Sequence, residues 1–262
     1  MMPCDMSRTA LLGALKAFDL DRIRTLLRAE PDLKDWRDEK GLNLLQICCK
    51  RSTVDDAAAA RGQLQVARWL VGQGFDPTAT HTTAAGEDGE EEPAKVSLAF
   101  FAIARARNNA LARYFLEQGA APGALFAAAW WGNADILADL VRHGADVNEV
   151  VGAPPLLMAV DVVQRGTEGK PKLARARMNT VRELLRLGAD PNLPGFNRTT
   201  ALHHALEKEY FDVFKVLLQH GANPDLPGKD GRTVREIASR KRDKRYIKAL
   251  AAPSNSHATG KT

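Results

Sequence analysis

One frame recurs along this chain, and it restricts the fold more than any other feature. Residues 200–224 contain Thr200-Ala201-Leu202-His203-His204-Ala205, then Phe211-Asp212-Val213-Phe214-Lys215-Val216-Leu217-Leu218, then His220-Gly221-Ala222-Asn223-Pro224. The threonine offers a side-chain oxygen to the free amides of a helix start. The second stretch carries apolar residues at helical spacing. The glycine can take the left-handed backbone that ends a helix. The terminator returns as Gly144-Ala145-Asp146-Val147-Asn148 and Gly188-Ala189-Asp190-Pro191-Asn192, with looser copies at Gly74-Phe75-Asp76-Pro77 and Gly119-Ala120-Ala121-Pro122. A helix pair of this kind covers its apolar face only against a neighbour like itself, so the units must stack.

The frame resembles the ankyrin repeat, whose consensus runs G-x-T-P-L-H-x-A-A, G-H-L-E-V-V-K-L-L-L, G-A-D-V-N. The likeness extends over about residues 9–250. It implies an all-α solenoid of about six to seven stacked helix-turn-helix units with irregular insertions. The threonine position of each unit falls at Thr9, Asn43, Leu98, Gly123, Pro154, Thr200 and Thr233, at spacings of 34, 55, 25, 31, 46 and 33. The regular period is about 33 residues. The long spacings place insertions at about 51–61 and 161–176, between paired helices, and at about 81–95, in a connecting finger; the short one marks a missing finger before Ala124-Leu125-Phe126. Caps are expected at about 9–40 and 231–250, within an array of residues 1–250, with residues 251–262 a disordered tail. Leu125, Leu156 and Leu202 are expected to fill the gaps between layers. Ala104, Ala128, Ala129, Ala159 and Ala205 let first helices approach closely.

Composition agrees. Of 262 residues, 45% are hydrophobic, which excludes whole-chain disorder, and only 6% are aromatic, which fits helices packed through small residues. Cys4, Cys48 and Cys49 form neither a disulfide framework nor a C-x-x-C zinc pair, so a reducing, cytoplasmic setting is expected. No apolar run suffices for a membrane span, and Met1-Met2-Pro3-Cys4-Asp5-Met6 lacks the pattern of a secretory signal.

Catalytic signatures are missing. The terminal Gly260-Lys261-Thr262 has Asn255 where a phosphate loop needs its first glycine, with no strand before it and no helix after it. His203 and His204 point to different sides of one helix, and the resemblance gives His203 a turn-ordering role. His143 and His220 precede glycine caps and are expected to satisfy last-turn carbonyls. Cys48-Cys49 stand where the family has Ala-Ala, so they read as small core residues. The acidic stretch Glu87, Asp88, Glu90, Glu91 and Glu92 lacks calcium-loop spacing and reads as a solvated loop. No catalytic, cofactor or metal site is expected.

The net charge of +5 is concentrated at one end. Residues 231–250 hold eight basic and two acidic residues, +6; Lys261 adds +1, leaving −2 for the rest. The run Ser239-Arg240-Lys241-Arg242-Asp243-Lys244-Arg245-Tyr246 reads first as the polar face of a terminal cap and second as a nucleic-acid patch.

The resemblance implies a non-catalytic scaffold that binds a partner protein on the concave and finger surface. The residues after each Ala-Ala pair are its characteristic contact positions: Lys50 and Arg51, Arg105 and Ala106, Trp130 and Trp131, Glu207 and Lys208. Trp36 and Arg37 in the first finger, and Phe196 and Arg198 in the fifth connection, complete the candidate partner-binding set. Trp130-Trp131 stands out, since exposed aromatics anchor interfaces. The alternative is that one of them packs against the shortened connection or the 161–176 insertion. The chain is expected to be a monomer without membrane, small-molecule or nucleic-acid partners. Three rival roles are an effector or immunity-type protein that inhibits or redirects one enzyme, an enzyme with its activity in an insertion, for which the longest insert of about 15 residues is too short to fold independently, and nucleic-acid binding through the basic C-terminal helix.

Overall fold

Cap residues decide where the helices start. In the computed structural model, which describes residues 3–82, 95–123, 125–150, 152–162, 171–195 and 197–251, Asn43 Oδ1 accepts the Gln46 amide at 2.9 Å and Gln46 Oε1 accepts the Asn43 amide at 3.0 Å. This reciprocal box starts α3 (Leu44–Cys48). Thr233 and Glu236 repeat it at the start of α13 (Val234–Lys241). The third cap is Ser97, one residue before the Leu98 that the spacing indicates. Its hydroxyl accepts the Phe100 amide and donates to the Ala121 carbonyl at 2.7 Å, whereas Leu98 has no acceptor and is buried in the first turn of α5 (Leu98–Phe101). Thr9 is likewise no cap, because it lies inside α1 (Pro3–Ala17). Gly123 is two residues short of α7 (Leu125–Trp130).

The chain forms two compact units, Met1–Ala124 and Leu125–Thr262. The first pairs α1 with α2 (Leu20–Ala29), α3 with α4 (Ala57–Gly72), and α5 with α6 (Asn109–Glu117), where α5 runs on into a π-helical turn, Ala102–Ala106. A 3-10 turn, Pro31–Lys34, follows α2. Two short strands, β1 (His81–Thr82) and β2 (Lys95–Val96), pair antiparallel with His81 opposite Val96. The second unit pairs α7 with α8 (Leu137–Arg142), α9 (Pro155–Val162) with α10 (Pro171–Arg186), α11 (Ala201–Glu207) with α12 (Phe211–Gln219), and α13 with α14 (Lys244–Ala251). Its first helices stack as α7, α9, α11 and α13, and its second helices as α8, α10, α12 and α14. In the first unit α1 packs on α3, α2 on α4, and α4 on α6. Ala128, Ala129, Ala159 and Ala205 are buried with Leu125, Leu156 and Leu202, as the close-packing reading requires, whereas Ala104, in the π-helical turn, is only half-buried.

Two of the insertions contribute helix. α4 and α10 each run 16 residues against nine for α6 and α12, so residues 57–61 and 171–176 form extra N-terminal turns. The acidic stretch 87–92, residues 163–170 and the tail beyond 251 lie outside the described residues.

The recurring Asn of the terminator ties one finger to the next. Asn148 Nδ2 donates to the Gly188 carbonyl and its Oδ1 accepts the Asp190 amide at 2.8 Å; Asn192 does the same to Gly221 and Asn223 at 3.2 and 2.7 Å. His203 plays a similar part inside the stack. It is 1% exposed. Its Nδ1 faces the Thr200 amide and hydroxyl at 3.3 and 2.9 Å, and its Nε2 faces the Arg232 carbonyl at 3.4 Å. An amide donating to Nδ1 leaves the proton on Nε2, which donates to Arg232. A Cβ on Gly228 would come within 2.8 Å of the ring, so that glycine is where the next connection passes the imidazole.

Burial holds the His203 imidazole below its ordinary value of 6.5, with the neighbouring His204 adding to the effect and Glu207 and the Arg232 carbonyl opposing it. The folded state therefore keeps the neutral ring while the unfolded chain takes up a proton. This contribution is complete above 6.5 and is lost as pH falls below it. Urea unfolding at about pH 7.5 and about pH 5.5 should show a stability loss on acidification that is smaller in His203→Gln. An equal loss in the variant would assign the pH dependence to other groups.

Candidate functional site

The ends of the first helices and the loops that follow them carry most of the candidate contact residues, and the two units hold them differently. In the first unit, Lys50 Nζ lies 3.3 Å from Asp38 Oδ2. Burial pushes the Asp38 carboxyl up, but the Leu42 and Lys40 amides and the Lys50 ammonium outweigh it and hold the group below the usual carboxylate value. Asp38 thus closes the first finger and fixes Lys50 at once. Arg51 is exposed, yet it is already engaged: its guanidinium lies over the Phe18 ring at 5.3 Å and donates to the Lys16 carbonyl. Trp36 is half-buried. Arg37 is exposed and donates to the Asp35 and Trp36 carbonyls at 3.1 Å. Arg105 projects from the π-helical turn and is exposed, whereas its neighbour Ala106 is buried.

A buried polar cluster positions these loops. Gln63 of α4 is 0% exposed, and its Nε2 donates to the Cys48 and Arg51 carbonyls at 2.8 and 3.1 Å. Its Oε1 accepts from Asn108 Nδ2 at 3.0 Å, which also reaches the Ala60 carbonyl. Thr53 donates its amide and hydroxyl to the Ala106 carbonyl at 2.9 and 3.2 Å. Gln63 and Asn108 were not singled out from the sequence. The signal was there: Gln63 shares the buried face of α4 with Val66, Ala67 and Leu70. Cys48 and Cys49 are buried beside this cluster, and burial pushes the Cys48 thiol up to about 12, so it is an inert packing group.

In the second unit, Trp130 is half-buried and stacks on Phe126 at 6.3 Å with the planes 27° apart. Trp131 is 36% exposed. Beneath them the buried Arg177 of α10 donates to the Trp130 carbonyl at 2.9 Å. Its Cγ would lie 3.1 Å from a Cβ at Gly132, which has φ +67°. The two tryptophans therefore differ: Trp130 belongs to a stack, and Trp131 is the more exposed of the two. Glu207 is exposed and Lys208 half-buried at the end of α11. Arg198 is exposed with φ +57°, and Phe196 lies outside the described residues.

The basic C-terminal segment is partly neutralised. Arg235 pairs with Asp225 through two contacts of 2.8 and 3.2 Å, Arg245 with Asp243 at 2.8 and 3.2 Å, Arg232 with Asp230 at 2.9 Å and Lys241 with Glu209 at 3.6 Å. Tyr246, the aromatic of that run, is buried edge-on against Phe211 and Phe214 and offers no face for a base. His143 and His220 each place Nδ1 2.8 Å from a last-turn carbonyl, Asp139 and Val216, as expected of residues before a glycine cap. Among the described residues, no three His, Cys, Asp or Glu side chains converge to hold a metal ion, and no helix is long and apolar enough to cross a membrane.

Comparison with known proteins places this geometry. The family described as "Ankyrin repeats (3 copies)" matches residues 173–260, and "Ankyrin repeat" matches residues 123–150. No curated protein matches the sequence. Among solved structures, the ankyrin repeat domain of Bcl-3, titled a unique member of the IkappaB protein family, is 22% identical. The match covers 93% of this chain and 98% of that one, with a TM-score of 0.65. The human ASB11 ankyrin repeat domain is 19% identical over 92% of this chain and 95% of that one, with a TM-score of 0.67.

Proposed function

Because the chain is an ankyrin-repeat protein, we propose that it is a non-catalytic scaffold that recognises a partner protein through the loops following its first helices and through its finger tips. Ankyrin repeats generally mediate protein–protein interaction. The observation that carries the reading is Trp131, 36% exposed beside the Phe126–Trp130 stack, on a loop fixed from below by Arg177. A large side chain left partly exposed on a rigid support is what an interface anchor needs, since little conformational freedom is left to lose on binding. The remaining candidates would add smaller contacts, each within its own unit. The pairing of four C-terminal cations and the burial of Tyr246 weigh against a nucleic-acid role for that segment.

Affinity capture with the full chain as bait, mass-spectrometric identification of the partner and its titration against variants test this. Trp131→Ala should weaken binding by about 2 kcal/mol, about thirtyfold, with the melting temperature unchanged. Trp130→Ala should also lower the melting temperature, because it breaks a stack. Unaltered affinity in Trp131→Ala would remove the anchor from the account.

A further inference from the structure

Three loops of the first unit meet along one edge, and each brings cations to it. Lys16 lies in the last turn of α1, Lys50 and Arg51 follow α3, and Arg105 ends the π-helical turn. The loops are fastened to one another: Arg51 donates to the Lys16 carbonyl, and Thr53 donates to the Ala106 carbonyl beside Arg105. All four cations are exposed. Among the described residues, no carboxylate pairs with Lys16, Arg51 or Arg105, while Lys50 shares Asp38.

The acids of the same loops are turned to another task. Asp19 Oδ1 accepts the Arg22 amide at 3.0 Å and caps α2, and Asp56 Oδ1 accepts the Ala59 amide at 2.8 Å and caps α4. Asp19 and Asp56 keep their charge while capping, and with Asp38 and the exposed Asp55, φ +63°, they are the opposing charges of these loops. Capping thus draws the acids to the starts of the second helices and leaves the cations along the ends of the first.

We infer that this edge docks an acidic segment of a partner protein, whose carboxylates meet Lys16, Arg51 and Arg105. This rests on the scaffold reading above and names the chemistry of its partner. Arg51 keeps further guanidinium N–H donors after its contact with Lys16, and these suit a carboxylate. A nucleic acid fits the edge less well: the cations are few, and the Phe18 face, which a base would stack on, is covered by Arg51.

The test uses fluorescence anisotropy of the full chain. The probe is a labelled peptide of alternating Glu and Ala, about twelve residues long, which spans about 40 Å when extended. The double variant Lys16→Glu, Arg105→Glu breaks no intrachain ion pair and should weaken peptide binding about tenfold or more. The control Lys244→Glu, Lys248→Glu in the C-terminal helix should bind as the parent does. Equal binding by the first variant, loss in the control, or displacement of the peptide by an equal concentration of a single-stranded oligonucleotide would each overturn the inference. The captured partner separates the two readings. If it tolerates Lys16→Glu, Arg105→Glu but is lost with Trp131→Ala, the acidic docking edge is wrong and the scaffold stands. If it tolerates both, the scaffold reading falls too.

Discussion

Leu202→Ala is expected to lower the unfolding free energy by about 2–5 kcal/mol, read as a shift in the urea midpoint. Leu202 is 0% exposed in α11, which packs on α9 and α13. The size of the effect depends on whether neighbours can collapse into the space. Here Ala159 and Ala205 already bring the helix backbones close, so little further approach is available. The loss should therefore fall in the upper part of the range. A loss below about 1 kcal/mol would mean that the stack repacks freely, contrary to a tightly interlocked layer.

The second large effect comes from a polar side chain. Gln63→Ala should cost about 2–4 kcal/mol, because it strands the Cys48 and Arg51 carbonyls and the Asn108 amide, all bonded to Gln63. Gln65→Ala, two residues on and exposed, should be nearly neutral. The Gln63 variant should also loosen the Lys50–Arg51 loop, visible as faster amide exchange there. Equal costs for the two substitutions would mean that the buried cluster has no special role.

What the sequence revealed follows from which signals are local. Terminators such as Gly188-Ala189-Asp190-Pro191-Asn192 carry their own turn chemistry, so the number and kind of units could be counted. Cap positions were readable where the side chain is an acceptor, as at Asn43, Thr200 and Thr233. They slipped by a residue at Leu98 and Gly123, where phase alone was followed, and Thr9 drew a helix start into the middle of α1. The character of the insertions is not local: residues 57–61 and 171–176 continue helices because α4 and α10 extend along their neighbours. The site divided in the same way. Lys50, Arg51 and Trp131 could be placed on loops by register, and Arg105 at the end of a first helix. That Arg51 is fastened to Lys16, that Trp130 stacks on Phe126, and that Gln63 and Asn108 hold the loops together are long-range facts. No periodicity shows them.

A partner protein that sits on the first-helix loops and fingers shields their backbone amides from exchange. Hydrogen exchange on the chain, alone and with its captured partner, tests this most directly. New protection is expected at residues 36–37, 49–51, 105–107, 130–132 and 207–208, with the second helices α4, α10 and α12 unchanged. Protection confined to those second helices would contradict it.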